Sequence, residues 1–328
     1  MRIVIPDDYQ GAVAELDCFA RLAGHDVHVL TAPLRDLEAR AKALADAEAL
    51  VLIRERTRID EALLSRLPKL RLISQTGRVS EHLDLPACTR RGVAVAEGVG
   101  SPVAPAELAW ALVMAASRRL PEYERALHDG RWQSLGDPRL GRSLHGRTLG
   151  IWSYGKIGQR VAGYGRAFGM RVLVWGGEAS CAAARVEGFE IAASRADLFE
   201  RSDVLSLHRR LASETRHDIG LDDLRRMQLD ALLVNSSRAE LIAPGALLRA
   251  LDAGRPGQAA IDVFEHEPVL DPADPLLRHP RVLATPHLGY VERDSYERYF
   301  DAAFDNVLAY AAGTPANIAN PQVLERSV

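Results

Sequence analysis

The stretch TLGIWSYGKIGQRVAGYGRAFGMRVLVWGGE, residues 148–178, constrains the fold of this chain more than any other. A short apolar run meets a glycine-containing turn, then an amphipathic stretch, then a second apolar run. Continuous apolar runs suit strands covered on both faces, as in a parallel sheet. Parallel neighbours need a crossover, and the amphipathic stretch provides one. The same rhythm continues through VLSLH, ALLVN, AAIDVF and RVLATP, which makes six expected strands in this half. It is already present in the first hundred residues. There RIVIP, DVHVL, ALVLI and LRLIS alternate with helical stretches around Ala12–Leu22, LRDLEARAKALAD and IDEALLSRL. The pattern predicts an α/β chain with two doubly wound parallel sheets.

Pro102 and Pro105 punctuate the chain before a helix expected over Ala106–Ser117, which reads as a crossover between domains. RRLPEYERALHDGRWQ then breaks the rhythm; it suits an arm or interface anchored by Trp132, or a surface connection. A last helix is expected over Asp294–Ala312, with Tyr296, Phe300, Phe304, Val307, Leu308 and Ala311 as its apolar stripe. The tail NPQVL is expected to return to the first domain.

The turn after TLGIW reads Ser153-Tyr154-Gly155-Lys156-Ile157-Gly158. It is a dinucleotide fingerprint with serine in place of the first glycine. Gly155 lets backbone approach a pyrophosphate, and Gly158 lets the helix lie close to the sheet. The helix N-terminus adds free N–H groups, and Lys156 adds charge. Ser153 suits such a turn if its φ is negative. After the next strand, Gly176 stands where an acid normally binds the adenosine ribose. Its absence weakens a preference for NAD and leaves room for a 2′-phosphate. Arg209 and Arg210, after the strand end at His208, are candidate cations for one. Both NAD and NADP stay open.

Three further motifs place polar residues just past apolar strands: Arg238 in LLVNSSRAEL, Asp262 and Glu267 in AAIDVFEHEP, and His287 in VLATPHLGY. In open α/β sheets ligands gather at this end of the strands. Taken in order, GIWSYGKIGQ, LVNSSRAELI, IDVFEHEP and ATPHLGY resemble the motifs of the D-isomer-specific 2-hydroxyacid dehydrogenases, a family that includes phosphoglycerate and glycerate dehydrogenases. The resemblance covers nearly the whole chain.

It implies two Rossmann-like domains with a cleft between them. One is a discontinuous substrate domain, 1–102 plus 289–328; the other is a dinucleotide-binding domain, 103–288. It implies that Arg238 binds the substrate carboxylate and polarises the carbonyl. His287 would be the acid–base, Glu267 its anionic partner, and Asp262 a contact of the nicotinamide carboxamide. The chemistry agrees. Reducing a 2-oxo acid needs a hydride on carbon and a proton on oxygen, and imidazole beside carboxylate is a usable acid near neutrality. A guanidinium fork suits a planar carboxylate. The substrate loop matches SQTGRVSEHLDL, with Gly77, Arg78 and Val79 offering backbone N–H groups. Arg78 and Val79 depart from the family's small-apolar residue followed by glycine. Arg78 either reaches a second anionic group or points to solvent, the latter being favoured. Glu267 counts against the formate dehydrogenase branch, which carries Gln there.

The expected activity is hydride transfer between NAD(P)H and a small 2-oxo acid or D-2-hydroxy acid. The alternative is a non-catalytic dinucleotide-sensing regulator on the same fold. A net charge of −3 gives no basic excess for nucleic acid. The longest apolar stretch, LAWALVMAA, is too short to span a bilayer. Cys18, Cys88 and Cys181 lie far apart, which suits a reducing, cytoplasmic setting. No metal is expected: His25 and His28 lie close together, but no ligand set completes them. The family resemblance implies a homodimer, and Pro121–Trp132 is the segment expected at its interface.

Overall fold

The computed structural model describes residues 1–327, which divide into two compact units: Met1–Ser101 with the return segment from Val291, and Pro102–Tyr290.

The first unit begins β1 (Arg2–Ile5), β2 (Asp26–Val29), α1 (Leu37–Leu44), β3 (Ala49–Leu52), α2 (Glu61–Leu64), β4 (Leu72–Gln75), α3 (Leu85–Arg90) and β5 (Ala94–Ala96). Its strands form one parallel sheet in the order β2-β1-β3-β4-β5. The runs ALVL and LISQ of β3 and β4 are buried at every position, as strands covered on both faces require. Residues 12–22 are helical, though as 3₁₀ rather than α turns. They make two 3₁₀ segments, Val13–Glu15 and Asp17–Leu22, separated by an extended Leu16. The Asp8 carboxylate takes the Val13 N–H at 2.9 Å, at the start of the first segment.

The second unit comprises α4 (Val103–Ser117), α5 (Leu120–His128), β6 (Thr148–Trp152), α6 (Lys156–Ala167), β7 (Arg171–Trp175), α7 (Glu178–Val186), β8 (Glu190–Ile191), α8 (Arg195–Arg201), β9 (Val204–Leu207), α9 (Leu221–Arg226), β10 (Leu232–Asn235), α10 (Ala246–Asp252), β11 (Gln258–Ile261), α11 (Pro275–Arg278) and β12 (Val282–Ala284). All seven strands are parallel, in the order β12-β11-β10-β9-β6-β7-β8. The seventh, β8, has only two residues, too few to carry a periodicity in the sequence. The order reverses direction between β6 and β9, and such a switch point opens a crevice at the strand ends. Small residues on α4 (Ala106, Ala109, Ala116) bring it against α6 and the sheet. RRLPEYERALHDGRWQ is mostly helix, α5, with Trp132 exposed beyond its end.

The chain returns to the first unit as α12 (Arg293–Ala311), capped by the Glu292 carboxylate on the Ser295 and Asp294 N–H groups. Tyr296, Phe300, Phe304 and Val307 are buried as expected, Leu308 is half-buried and Ala311 is exposed. Tyr299 and Ala303 widen the buried face. The tail then docks: the Asn320 side chain accepts the Val95 N–H and donates to the Val93 carbonyl.

Candidate active site

Six residues singled out from the sequence follow six strands of the second unit. Trp152, the last residue of β6, lies beside Trp175 of β7 and Leu207 of β9. Ser153, Gly176 and His208 therefore share one stretch of the sheet edge. Asn235 of β10 lies beside Ile261 of β11, which lies beside Ala284 of β12. Arg238, Asp262 and His287 therefore follow three consecutive strands at the same edge.

The fingerprint turn departs from expectation at Ser153. Its φ is +80°, in the left-handed region, not negative. Its N–H is held by the Trp175 carbonyl at 2.8 Å, so the sheet imposes the conformation. A side chain there costs roughly 1–2 kcal/mol relative to glycine. The other two glycines behave as the fingerprint requires. A Cβ on Gly158 would sit 2.3 Å from the Ser153 carbonyl oxygen. A Cβ on Gly155, the N-cap of α6, would meet open space. The N–H groups of Gly155, Lys156, Ile157 and Gly158 have no partner among the described residues. Open space facing free amides at the start of a twelve-residue helix fits a pyrophosphate. Tyr154 contributes backbone only: its ring is buried against Phe189, and burial pushes its phenol up.

At Gly176 the structure shows tight quarters. A Cβ there would lie 3.1 Å from the Ser180 Cβ, and the Ser180 hydroxyl takes the Tyr154 N–H at 3.3 Å. Nothing in the sequence pattern flagged Ser180. Arg209 is not the free cation the sequence suggested. It pairs with Asp218, which also binds Arg195, and both guanidinium groups lie over the Trp152 ring. Arg210 is exposed. His208 presents a different feature: its Nε2 is sealed from solvent without a partner, and burial pulls the imidazole down to about 4.

His287 and Glu267 meet. Nδ1 of His287 lies 2.6 Å from Oε2 of Glu267, and Oε1 of Glu267 accepts the Phe264 N–H at 2.9 Å. An ionised carboxylate only accepts, so Nδ1 carries the hydrogen and Nε2 is the atom left for chemistry. His287 itself has φ +52° and packs edge-on to Tyr290. Its turn is fixed from below by Asp262, which is fully buried. Oδ1 of Asp262 accepts the Thr285 hydroxyl at 2.6 Å and the Leu288 N–H at 2.7 Å; Oδ2 accepts the Gly289 N–H at 2.9 Å. Both oxygens thus hold the turn that carries His287. Burial still leaves this carboxyl above the usual range, the hydrogen bonds offsetting part of that penalty. Arg238 caps a short 3₁₀ turn, and the Asn235 side chain donates to its carbonyl at 3.0 Å.

In the first unit, loop 76–79 follows β4. Val79 N–H and the Arg78 guanidinium both go to Glu97, at 2.9 and 2.5 Å, although the Arg78 side chain is 80% exposed. The N–H groups of Gly77 and Arg78 have no partner among the described residues. Arg54, which sequence reasoning missed, fills the space beside Gly77: a Cβ there would lie 1.8 Å from its Nη1. An arginine directly after a buried strand was the available signal.

The described residues include no helix long and apolar enough to cross a membrane. They also hold no group of three or more His, Cys, Asp or Glu side chains able to hold a metal.

The fold and this edge define an oxidoreductase that uses a nicotinamide dinucleotide. A family model described as D-isomer specific 2-hydroxyacid dehydrogenase, NAD binding domain, matches residues 110–289. The glyoxylate reductase of Aeropyrum pernix is 38% identical over 275 residues, 82% of this chain and 82% of that protein. Among solved structures, a D-3-phosphoglycerate dehydrogenase oxidoreductase from Ralstonia solanacearum is 56% identical, with a TM-score of 0.96 and 98% of each chain covered. A phosphoglycerate oxidoreductase from Vibrio cholerae is 55% identical, with a TM-score of 0.93, covering 95% of this chain and 99% of that one. The chain belongs to the D-isomer specific 2-hydroxyacid dehydrogenase family. It transfers a hydride between NAD(P)H and a small 2-oxo or 2-hydroxy acid; the regulatory alternative gains no support from these relatives.

Proposed function

We propose that this enzyme reduces a short, singly charged 2-oxo acid such as glyoxylate or hydroxypyruvate. The observation that carries the reading is the His287–Glu267 pair at 2.6 Å, on the same sheet edge as Arg238. When bound, the dinucleotide supplies the hydride. His287 donates its Nε2 proton to the carbonyl oxygen, converting it to a hydroxyl. Glu267 holds the ring through Nδ1 and keeps Nε2 directed at the carbonyl. Arg238 binds the substrate carboxylate and polarises the carbonyl. Asp262 serves the reaction by fixing the His287 turn.

Two features favour a small monoanion over a phosphorylated acid. Relatives such as that of Aeropyrum pernix are glyoxylate reductases. The arginines at loop 76–79 are also compensated, Arg78 by Glu97 and Arg54 by Glu55. The phosphoglycerate names of the Ralstonia solanacearum and Vibrio cholerae proteins, 56% and 55% identical to this chain, support the second reading, a phosphorylated substrate.

The residues of the fingerprint turn, Gly155 to Gly158, would hold the pyrophosphate. NADH and NADPH are both accepted, because Gly176 offers no carboxylate to repel a 2′-phosphate and Arg209 is already paired with Asp218. The protein works in the reducing cytoplasm, consistent with three unpaired, buried thiols. It acts as a homodimer through the surface around α5, where Leu120, Leu127 and Trp132 are exposed.

The test is a panel of 2-oxo acids with each reduced cofactor. Glyoxylate and hydroxypyruvate should give the highest kcat/KM, and a chiral product should be the D-isomer. A preference for 3-phosphohydroxypyruvate would replace the substrate reading with the phosphorylated one. Failure to turn over any member would overturn it.

A further inference from the structure

Glu97 is the first residue past β5, and loop 76–79 follows the neighbouring strand β4. Its main chain is pinned on both sides: its N–H goes to the Asn317 carbonyl at 2.9 Å, and its carbonyl accepts from the Asn306 side chain at 3.0 Å. The next residue, Gly98, donates its N–H to the Gly77 carbonyl at 2.9 Å. A Cβ at Gly98 would sit 2.4 Å from the Gln75 carbonyl oxygen, so this close approach requires glycine. From that fixed base the Glu97 side chain, 23% exposed, reaches Val79 N–H with one oxygen and Arg78 with the other.

We propose that Glu97 is a positioning residue for the substrate: by taking up the Val79 N–H it fixes the loop so that the Gly77 and Arg78 N–H groups form the pair that holds the substrate carboxylate. This rests on the reading that loop 76–79 binds that carboxylate. The two residues that depart from the family pattern, Arg78 and Val79, are the two that Glu97 engages. A bare carboxylate beside an anion site would repel its ligand. Arg78 cancels that charge, which gives an exposed arginine a purpose that its 80% exposure alone does not. Glu97 touches neither substrate nor cofactor in this scheme and acts only through the loop.

Glu97→Ala, Glu97→Gln and Arg78→Ala are compared with the parent, using the best 2-oxo acid of the panel. Two readouts are taken: steady-state kinetics, and amide exchange of segment 76–80 by mass spectrometry. Glu97→Ala should speed exchange in this segment and raise KM for the 2-oxo acid roughly ten-fold, the effect of losing one charge-assisted hydrogen bond. The kcat and the KM for NADH should stay within about two-fold, because the lost interaction is uniform binding. Glu97→Gln keeps an oxygen acceptor for Val79 and should recover most of the loss. Arg78→Ala leaves the Glu97 charge uncancelled beside the anion site and should raise KM by about two- to five-fold, a smaller and more salt-sensitive effect because the pair is exposed. A KM equal to the parent's at low salt would overturn the charge-cancelling role. Unchanged exchange in Glu97→Ala would overturn the proposal while leaving the functional reading intact. Faster exchange with unchanged KM would overturn it because the loop does not hold the substrate. A fall in KM would overturn it as well, showing that Glu97 occupies the place of the substrate carboxylate.

Discussion

Replacing Asp262 by Asn separates two roles for that residue. The carboxylate is buried and accepts three hydrogen bonds, from Thr285, Leu288 and Gly289. An amide is the same size but has only one accepting oxygen. The least costly orientation keeps that oxygen on Thr285 and Leu288 and turns the NH₂ toward Gly289. Two donors then face each other, and a buried N–H is left unpaired at about 1–3 kcal/mol. Part of this is offset, because the variant no longer buries a charge, the effect that raises the Asp262 pKa. A net loss of about 1–2 kcal/mol remains, which lowers Tm by roughly 2–8 °C in a domain of this size. The larger effect is on chemistry. The Gly289 contact closes the turn that holds His287 at φ +52°, and releasing it lets the imidazole move. A shift of about 1 Å in a reacting group costs roughly 100-fold. Cofactor oxidation, followed by absorbance, should show kcat reduced by about that factor, with NADH affinity in the absence of substrate changed by less than about three-fold. If kcat holds and NADH affinity falls instead, Asp262 contacts the nicotinamide, the role its motif implies, and the positioning argument is wrong.

Other predictions follow from single observations. Ser153→Gly should stabilise the protein by about 1 kcal/mol, since φ +80° is easy for glycine; a lower Tm than the parent would contradict the strain. The His208 imidazole is depressed by burial to about 4, below its unfolded value near 6.5. Its contribution to stability is therefore fully present above pH 6.5 and is lost as pH falls toward 4. His208→Phe should flatten the Tm–pH curve across that window, and parallel curves for parent and variant would refute the assignment. Gly176→Asp should favour NADH over NADPH, at some cost in stability because the new Cβ meets Ser180 at 3.1 Å. Unchanged cofactor preference would show that this position does not face the ribose.

Much of the architecture was legible because parallel strands announce themselves as continuous apolar runs, and because the polar residues that follow them stand out. Arg238, Asp262, Glu267 and His287 could be picked from the sequence for that reason. Their partners could not. Thr285 and the Leu288 and Gly289 N–H groups carry no pattern of their own, so the three bonds on Asp262 appear only once β11 and β12 lie side by side. Glu97 reads as an ordinary acid until β4 and β5 bring it to Val79. Arg209 looked available because its partner Asp218 lies nine residues away in an irregular loop. The split of the helical stretch after β1 into two 3₁₀ segments was not legible, because hydrophobic periodicity does not register the extended backbone at Leu16.

Proton delivery by the ring paired with Glu267 is most directly probed by His287→Gln, with single-turnover reduction and NADH binding measured on the same preparation. Loss of turnover by roughly 1,000-fold with NADH affinity unchanged is the expected result. A variant that keeps more than about a tenth of the parent's rate would show that the proton comes from elsewhere.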